Sequence, residues 1–199
     1  MNVNICRILF RQFLFVLLLL PMAIGANAQG LKVYISADME GIAGVVTQDK
    51  LGPSGFEYSQ FRKFMTAEVN AAIEAARDEG ATEIFVGDSH GNGLNLLLDA
   101  LPQDIILARA WPRRLGMMEG IDESFDAAIF IGYHASAGNT GGIAAHTMSG
   151  GAFLSVKING REITEGGINA LIAGHFGVRS EEHTSELQSR RNLVCRLLL

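Results

Sequence analysis

Short β-branched and aromatic runs alternate with helical patterns along the middle of this sequence, and this alternation constrains the fold most. The run Leu31–Ser36 predicts a first strand. From Tyr58 to Glu79, apolar residues recur at spacings of three and four, which predicts a helix with Gly80 as its C-terminal cap. Three further strands are predicted at Glu83–Val86, Asp104–Ala108 and Asp126–Ile131. Strands separated by helices predict an α/β fold with a mostly parallel sheet flanked by helices.

Three further segments complete the predicted elements. Leu94–Leu101 favours a short helix, and Glu165–Phe176 favours a final one. Between them, Asn159-Gly160 lies inside the alternating stretch Ala152–Ile163, a pattern typical of a β-hairpin.

The composition excludes several classes of protein. The chain has 199 residues, which suits one domain of ordinary size. Its net charge is −5, whereas a non-specific nucleic-acid binder needs a basic surface, so we expect no nucleic-acid partner. With 48% hydrophobic residues, the chain is too apolar to be disordered.

The first 28 residues have the pattern of a secretory signal peptide. Arg7 and Arg11 precede the apolar run Phe13–Leu20, and Ala26-Asn27-Ala28 has the small residues that a signal peptidase requires. The alternative is an uncleaved membrane anchor, but the apolar run is shorter than the ~20 residues that span a bilayer. We therefore expect cleavage before Gln29 and a periplasmic or otherwise exported protein, without stable membrane association.

The last 21 residues, 179–199, differ in character from the preceding chain. They resemble the translation of a sequencing-adapter oligonucleotide; the alternative is a natural amphipathic tail. We expect an artefact, which leaves 29–178 as the genuine domain. Both cysteines, Cys6 and Cys195, lie in the terminal segments, so the domain itself has no disulfide framework.

Potential metal ligands follow three of the predicted strands. They are Asp38 and Glu40, then Asp88 and His90, then His134. Because parallel strands end at one edge of a sheet, these side chains should converge there. Carboxylates and imidazoles are ligands that zinc accepts, and one carboxylate can bridge two metal ions. The spacing is not a compact metal motif, so each histidine could instead be a hydrogen-bonded core or loop residue.

Six short motifs give the sequence a family resemblance. In chain order they are Ser36-Ala37-Asp38-Met39-Glu40-Gly41-Ile42, Asp88-Ser89-His90, Met118-Glu119-Gly120-Ile121-Asp122, Gly132-Tyr133-His134-Ala135, His146-Thr147-Met148 and Glu165-Gly166-Gly167-Ile168-Asn169-Ala170. Together they resemble the D-aminopeptidase family of binuclear zinc metallopeptidases, over essentially all of 31–178.

The resemblance implies a site with two zinc ions per subunit. Asp38 would bridge the metals, and Glu40, His90, His134 and Glu165 would complete the coordination. His146 matches the family's catalytic histidine, acting either in proton transfer or as a stabiliser of the oxyanion. Members of the family are longer and assemble into homo-oligomers. We therefore expect the C-terminal part of the family fold to be missing, which could leave this chain inactive or poorly stable alone.

The function expected from these features is that of an exported zinc aminopeptidase. It would hydrolyse short peptides or amino-acid amides, with D-amino acids at the N-terminus implied by the family alone. One alternative is another binuclear metallohydrolase that cleaves an amide or an ester with the same ligands. A second is a non-enzymatic exported binding protein that holds a structural metal.

Overall fold

A computed structural model describes residues 30–183. The predicted signal peptide lies outside the described residues. The strands and helices, in chain order, are β1 (Leu31–Ala37), α1 (Tyr58–Asp78), β2 (Ala81–Asp88), β3 (Ile106–Ala108), β4 (Ala127–Ile131), β5 (Lys157–Ile158), β6 (Arg161–Glu162), α2 (Glu165–His175) and β7 (Arg179–His183). Short 3-10 turns occupy Gln48–Lys50, Leu98–Ala100 and Gly116–Met118.

Five parallel strands form the main sheet, in the order β3-β2-β1-β4-β7. This confirms the predicted α/β fold with a parallel sheet. In the register of β1, Ala37 pairs with Asp88 on one side and with Ile131 on the other. The strands β1, β2 and β4 therefore end level with each other. The chain order reverses between β1 and β4, and in open α/β sheets such a switch point forms a crevice beyond the strand ends.

The two faces of the sheet carry separate apolar cores. Val33 and Ile35 of β1 pack in the same cluster as Met65, Val69 and Ile73 of α1. Each such side chain contributes roughly 1.5–3 kcal/mol when it is fully buried. The intervening β1 residue, Tyr34, points to the opposite face, where the core includes Ala170 and Ala173 of α2. The alternation of side chains along β1 thus builds a three-layer arrangement with one helix on each face.

The prediction of a helix at Leu94–Leu101 is wrong. Only the single 3-10 turn Leu98–Ala100 forms there. The reason is that the N–H groups of Asn95 and Leu96 donate to the Asp88 carboxylate, while that of Leu97 donates to the Thr66 hydroxyl. The backbone donors therefore bind side chains from other elements.

The hairpin around Asn159-Gly160 is confirmed, although its strands β5 and β6 are only two residues long each. Beyond the predicted domain, residues 179–183 form β7 and pair with β4. Strand pairing does not test the origin of the segment 179–199, which stays a prediction. Within residues 30–183, no helix is long and apolar enough to cross a membrane.

Candidate metal centre

Six predicted residues meet at the carboxyl edge of the sheet. Within residues 30–183, their ligand atoms form three groups that could hold a metal ion. We name them the His90 group (Asp38, Glu40, His90), the Glu165 group (Asp38, His134, Glu165) and the His146 group (Glu40, His134, His146). In each group the ligand atoms lie within 4.8 Å of one another. Asp38, Glu40 and His134 each belong to two of the groups, and a carboxylate such as that of Asp38 has two oxygens with which it can be shared between two ions.

Asp38 directs its two carboxylate oxygens to different neighbours. Oδ1 accepts a hydrogen bond from the Met39 N–H at 2.8 Å and lies 3.2 Å from Nδ1 of His90. Oδ2 lies 3.5 Å from Nε2 of His134. The side chain is buried, and the Asp38 backbone N–H donates to the Ile131 carbonyl, which fixes the residue against the end of β4.

Each of the three histidines has one ring nitrogen within hydrogen-bond distance of a backbone carbonyl. Nε2 of His90 lies 2.8 Å from the Leu51 oxygen, Nδ1 of His134 lies 3.0 Å from the Ala135 oxygen, and Nδ1 of His146 lies 2.9 Å from the Ala144 oxygen. Because a carbonyl oxygen only accepts, these nitrogens carry the hydrogen. The other nitrogen of each ring therefore faces the carboxylates, which is the usual arrangement of metal-binding histidines.

The inward nitrogens lie close to carboxylate oxygens. Nδ1 of His90 lies 2.8 Å from Glu40 Oε2, and Nε2 of His134 lies 3.6 Å from Glu165 Oε1. Nε2 of His146 lies 3.5 Å from the same Glu165 oxygen and 3.8 Å from Glu40 Oε1. The rings of His134 and His146 stack with centroids 4.1 Å apart, so the two histidines share one wall of the site.

Glu165 is the first residue of α2. The Thr164 side chain caps this helix by accepting a hydrogen bond from the Gly167 N–H at 2.9 Å. The Glu165 Oε1 atom accepts from the Met148 N–H at 2.7 Å, which ties the helix to the loop that carries His146. A carboxylate at a helix N-terminus also interacts favourably with the helix dipole.

The buried carboxylates and imidazoles shift one another's pKa. Burial and the charge of Glu40 raise the pKa of Asp38 to about 6. Burial would also raise the pKa of Glu40, but the hydrogen bond and charge of His90 lower it overall. Burial would lower the pKa of both buried histidines, but the carboxylates raise that of His90 to about 11 and that of His134 to about 10. The carboxylates thus create a local potential that favours positive charge.

Two buried atoms in the centre fit a metal ion better than a hydrogen-bond network. Asp38 Oδ2 and His134 Nε2 are buried and have no hydrogen-bond partner. Buried polar atoms without partners are costly, and a shared cation would satisfy both. Carboxylate oxygen with imidazole nitrogen is a donor set that zinc accepts. The residues of this centre therefore fit zinc.

The chain is similar to known proteins of one family. A family model described as D-aminopeptidase matches residues 31–181. The chain belongs to this D-aminopeptidase family. A D-aminopeptidase of Bacillus subtilis (strain 168) is 37% identical over 148 residues, covering 74% of this chain and 53% of the relative.

A solved D-aminopeptidase has the same fold. It is a zinc-dependent D-aminopeptidase from Bacillus subtilis, described as a self-compartmentalizing protease, with a TM-score of 0.71 and 36% identity. The match covers 74% of this chain and 53% of the solved chain. This member of the D-aminopeptidase family thus spans about half the length of the relatives that it matches.

Asp88 takes a different place from that of the other acidic residues at the strand ends. It lies in none of the three groups, because its carboxylate accepts hydrogen bonds from the backbone and side-chain nitrogens of Asn95. The Asn95 amide also donates to the His90 carbonyl at 2.6 Å. Asp88 and Asn95 therefore hold the loop that carries His90. Sequence reasoning missed Asn95, since nothing in its local pattern distinguishes it from other loop asparagines.

Proposed function

We propose that this chain carries the metal centre of a zinc-dependent aminopeptidase that acts on short peptides or amino-acid amides with a D-residue at the N-terminus. The observation that carries the proposal is Asp38, whose carboxylate is shared by the His90 group and the Glu165 group. That sharing supports two zinc ions for each chain. The description of the solved Bacillus relative supports zinc, and the names of both matches support the D-residue preference.

Bound zinc would lower the pKa of a water molecule and polarise the scissile carbonyl, which are the two requirements of amide hydrolysis. Asp38, Glu40, His90, His134 and Glu165 would hold the metal. His146 would accept or donate a proton at Nε2, because its Nδ1 donates a hydrogen bond to the Ala144 carbonyl. The Gln48 side-chain amide donates to the same Ala144 carbonyl at 3.4 Å, which helps to hold that acceptor in place.

The proposal is tested by metal analysis combined with a substrate panel. The full chain is purified, its zinc content is measured, and hydrolysis of matched D- and L-amino-acid amides is compared before and after chelation. We expect bound zinc, cleavage of the D-amides, and loss of activity on chelation that added zinc restores. Hydrolysis that ignores the chelator would overturn the zinc mechanism, and an equal rate on L-amides would overturn the proposed preference.

His146 belongs to a metal-capable group and is also the proposed proton-transfer residue, so one variant separates these roles. We expect His146→Ala to keep its zinc and to lose activity by a factor on the order of 10²–10⁴, the usual contribution of general acid–base catalysis. Zinc content and hydrolysis are measured on the same preparation. A loss of zinc in this variant would make His146 a ligand instead.

We further propose that the first 28 residues direct export and are cleaved off before Gln29. We also propose that the protein assembles with copies of itself. Export is supported by the pattern of the first 28 residues. Self-association is supported by the description of the solved relative and by exposed apolar side chains, among them Phe56 and Leu154, which are 95% and 93% exposed. N-terminal sequencing after expression and light scattering on the purified chain test the two proposals.

A further inference from the structure

A buried hydrogen-bond network lies directly behind the metal centre. The Tyr133 hydroxyl is 2.6 Å from Ser36 Oγ and accepts a hydrogen bond from Asn169 Nδ2 at 2.6 Å. The Ser36 hydroxyl also lies 2.8 Å from Ser89 Oγ and donates to the Met117 carbonyl at 3.1 Å. We name Ser36, Tyr133 and Asn169 the Tyr133 network. Its three side chains are at most 2% exposed.

The hydrogens of the network can be assigned without conflict. Asn169 donates to Tyr133, Tyr133 donates to Ser36, and Ser36 donates to the Met117 carbonyl. Every member then has a partner, so the three elements that carry them are held at fixed distances. Fully satisfied buried networks of this kind rigidify the structure around them.

Each member of the network lies close in sequence to one member of the Glu165 group. Ser36 precedes Asp38 by two residues at the end of β1, and Tyr133 directly precedes His134 after β4. Asn169 lies one helical turn after Glu165 in α2. The network therefore joins the three segments that supply the Glu165 group.

The His90 group has a different support. Its loop is held by Asp88 and Asn95, and Asn95 also accepts a hydrogen bond from the Tyr58 hydroxyl. The Tyr133 network meets that loop at Ser89, the residue directly before His90, through the contact between the Ser36 and Ser89 hydroxyls. The two groups that share Asp38 thus differ in their main support, because Asp88 and Asn95 hold the His90 loop whereas Tyr133 and Asn169 join β1, β4 and α2.

From this correspondence we propose that Tyr133 is a positioning residue for the metal ion of the Glu165 group. The inference rests on the proposed zinc centre and goes beyond it by assigning one supporting side chain to one of the two ions. The hydroxyl of Tyr133 holds β1, β4 and α2 at the separation at which Asp38, His134 and Glu165 share an ion. Without the Tyr133 hydroxyl, Asp38, His134 and Glu165 no longer hold the spacing needed to bind one ion, while the His90 group keeps its arrangement.

The test compares Tyr133→Phe with Tyr34→Phe in the full chain. Both tyrosines are fully buried on the same face of the sheet, and both replacements remove one hydroxyl. Tyr34 donates to the Glu119 carbonyl and to the Met117 carbonyl that Ser36 also contacts, and neither carbonyl belongs to a metal-capable group, so this variant controls for the loss of a buried hydroxyl. Zinc affinity is measured by competition with a chromogenic chelator, and coordination by the visible absorption of the chain loaded with Co²⁺.

We expect wild type and Tyr34→Phe to bind two equivalents of zinc with the same affinities. Tyr133→Phe should bind one equivalent unchanged and the other about 10-fold more weakly, the lower end of the loss typical of outer-shell partners. The Co²⁺ spectrum of that equivalent alone should change. Equal affinities in all three proteins would overturn the inference, and so would an identical loss in both variants, which would indicate a general effect on folding.

A second variant keeps the inference testable if Tyr133→Phe folds poorly. Asn169→Ala removes the other end of the network and should weaken the same equivalent of zinc. The double variant should lose no more affinity than Tyr133→Phe alone, because both act through one network. Additive losses would overturn the inference. Wild type without any bound zinc would overturn the proposed function itself, and the positioning role with it.

Discussion

Asp38 is shared by the His90 group and the Glu165 group, and its two oxygens face the histidines of these two groups. Asp38→Asn keeps the shape of the side chain but replaces one oxygen with an NH₂ group, which cannot bind a cation. Since losing a residue that only supports a ligand typically costs 10–100-fold in affinity, losing the negative charge of a carboxylate shared by both ions should cost at least about 100-fold at both equivalents. Zinc per chain is measured by elemental analysis after dialysis.

The comparison variant for Asp38→Asn is His90→Ala. His90 belongs to one of the two groups that share Asp38, so its loss should remove one equivalent of zinc and leave the other. If both variants lose the same amount of zinc, Asp38 is not shared and the centre holds a single ion.

Gly132 makes the approach of β4 to Asp38 possible. Its φ is +69°, and a Cβ at this position would collide with the Asp38 carbonyl oxygen and lie 2.7 Å from Ile42 Cδ1. We expect Gly132→Ala to destabilise the fold by more than the roughly 1–2 kcal/mol that a left-handed conformation costs an L-residue. The free energy of unfolding is measured by denaturant titration.

Gly177 offers the matched control for Gly132. Its φ is +76°, and a Cβ there would meet nothing within 4 Å. Gly177→Ala therefore carries the conformational cost without the collision. The difference between the two variants isolates the steric contact with Asp38, and equal losses of stability would show that this contact is unimportant.

At the scale of single residues, the sequence could predict which side chains meet but not what holds them. The ligand candidates stand at strand ends, so parallel pairing alone brings Asp38, His90 and His134 to one edge. Asp88 has the same position and residue type, yet its carboxylate binds Asn95 instead. That partner lies across a turn whose path depends on tertiary contacts, and no periodic pattern encodes it.

Among the elements, α2 has the most direct effect on the centre, because Glu165 is its first residue. Thr164→Ala removes the side-chain cap and should cost about 1 kcal/mol of stability, a typical value for such a loss. The freed first turn should also weaken zinc binding at the Glu165 group. Thr164→Ser keeps the hydroxyl and should retain both properties.

Thermal unfolding and zinc competition on these two Thr164 variants check the prediction. Wild-type zinc affinity in Thr164→Ala, together with the expected loss of stability, would mean that the first turn holds Glu165 without its cap. The Met148 N–H, which donates to Glu165, would then be the main support.

Helices and strands are predicted correctly where burial in the core sets the spacing of the apolar residues. The buried residues of α1 recur at helical spacings, so its predicted bounds differ from the observed ones by one residue at the C-terminal end. Strand β1 was also predicted closely, since it is buried on both faces. The prediction of a helix around Leu98 is wrong, because the backbone N–H groups there donate to Asp88 and Thr66 rather than to carbonyls of a helix. Contacts between distant elements carry no local signature.

On the scale of the whole molecule, the metal centre joins elements that are far apart in sequence. Its proposed ligands follow β1, β2 and β4 and begin α2. Ions that bind only the folded state would therefore stabilise the packing of α2 against the sheet. At a free zinc concentration of 100 times the dissociation constant, binding adds about 2.7 kcal/mol per site to the free energy of unfolding. Folded proteins are typically stable by only about 5–15 kcal/mol, so this contribution would be a large share of the total.

Zinc should therefore raise the melting temperature of the full chain. For a chain of this size, about 2.7 kcal/mol corresponds to a rise of roughly 5–10 °C for each site that zinc fills. The shift should disappear on adding a chelator and should be absent in Asp38→Asn, which keeps the shape of the side chain. Melting is followed by circular dichroism at fixed protein concentration, since self-association would also shift the transition. An equal rise in Asp38→Asn would place the stabilising zinc elsewhere on the surface, and the shared carboxylate would then have no part in binding it.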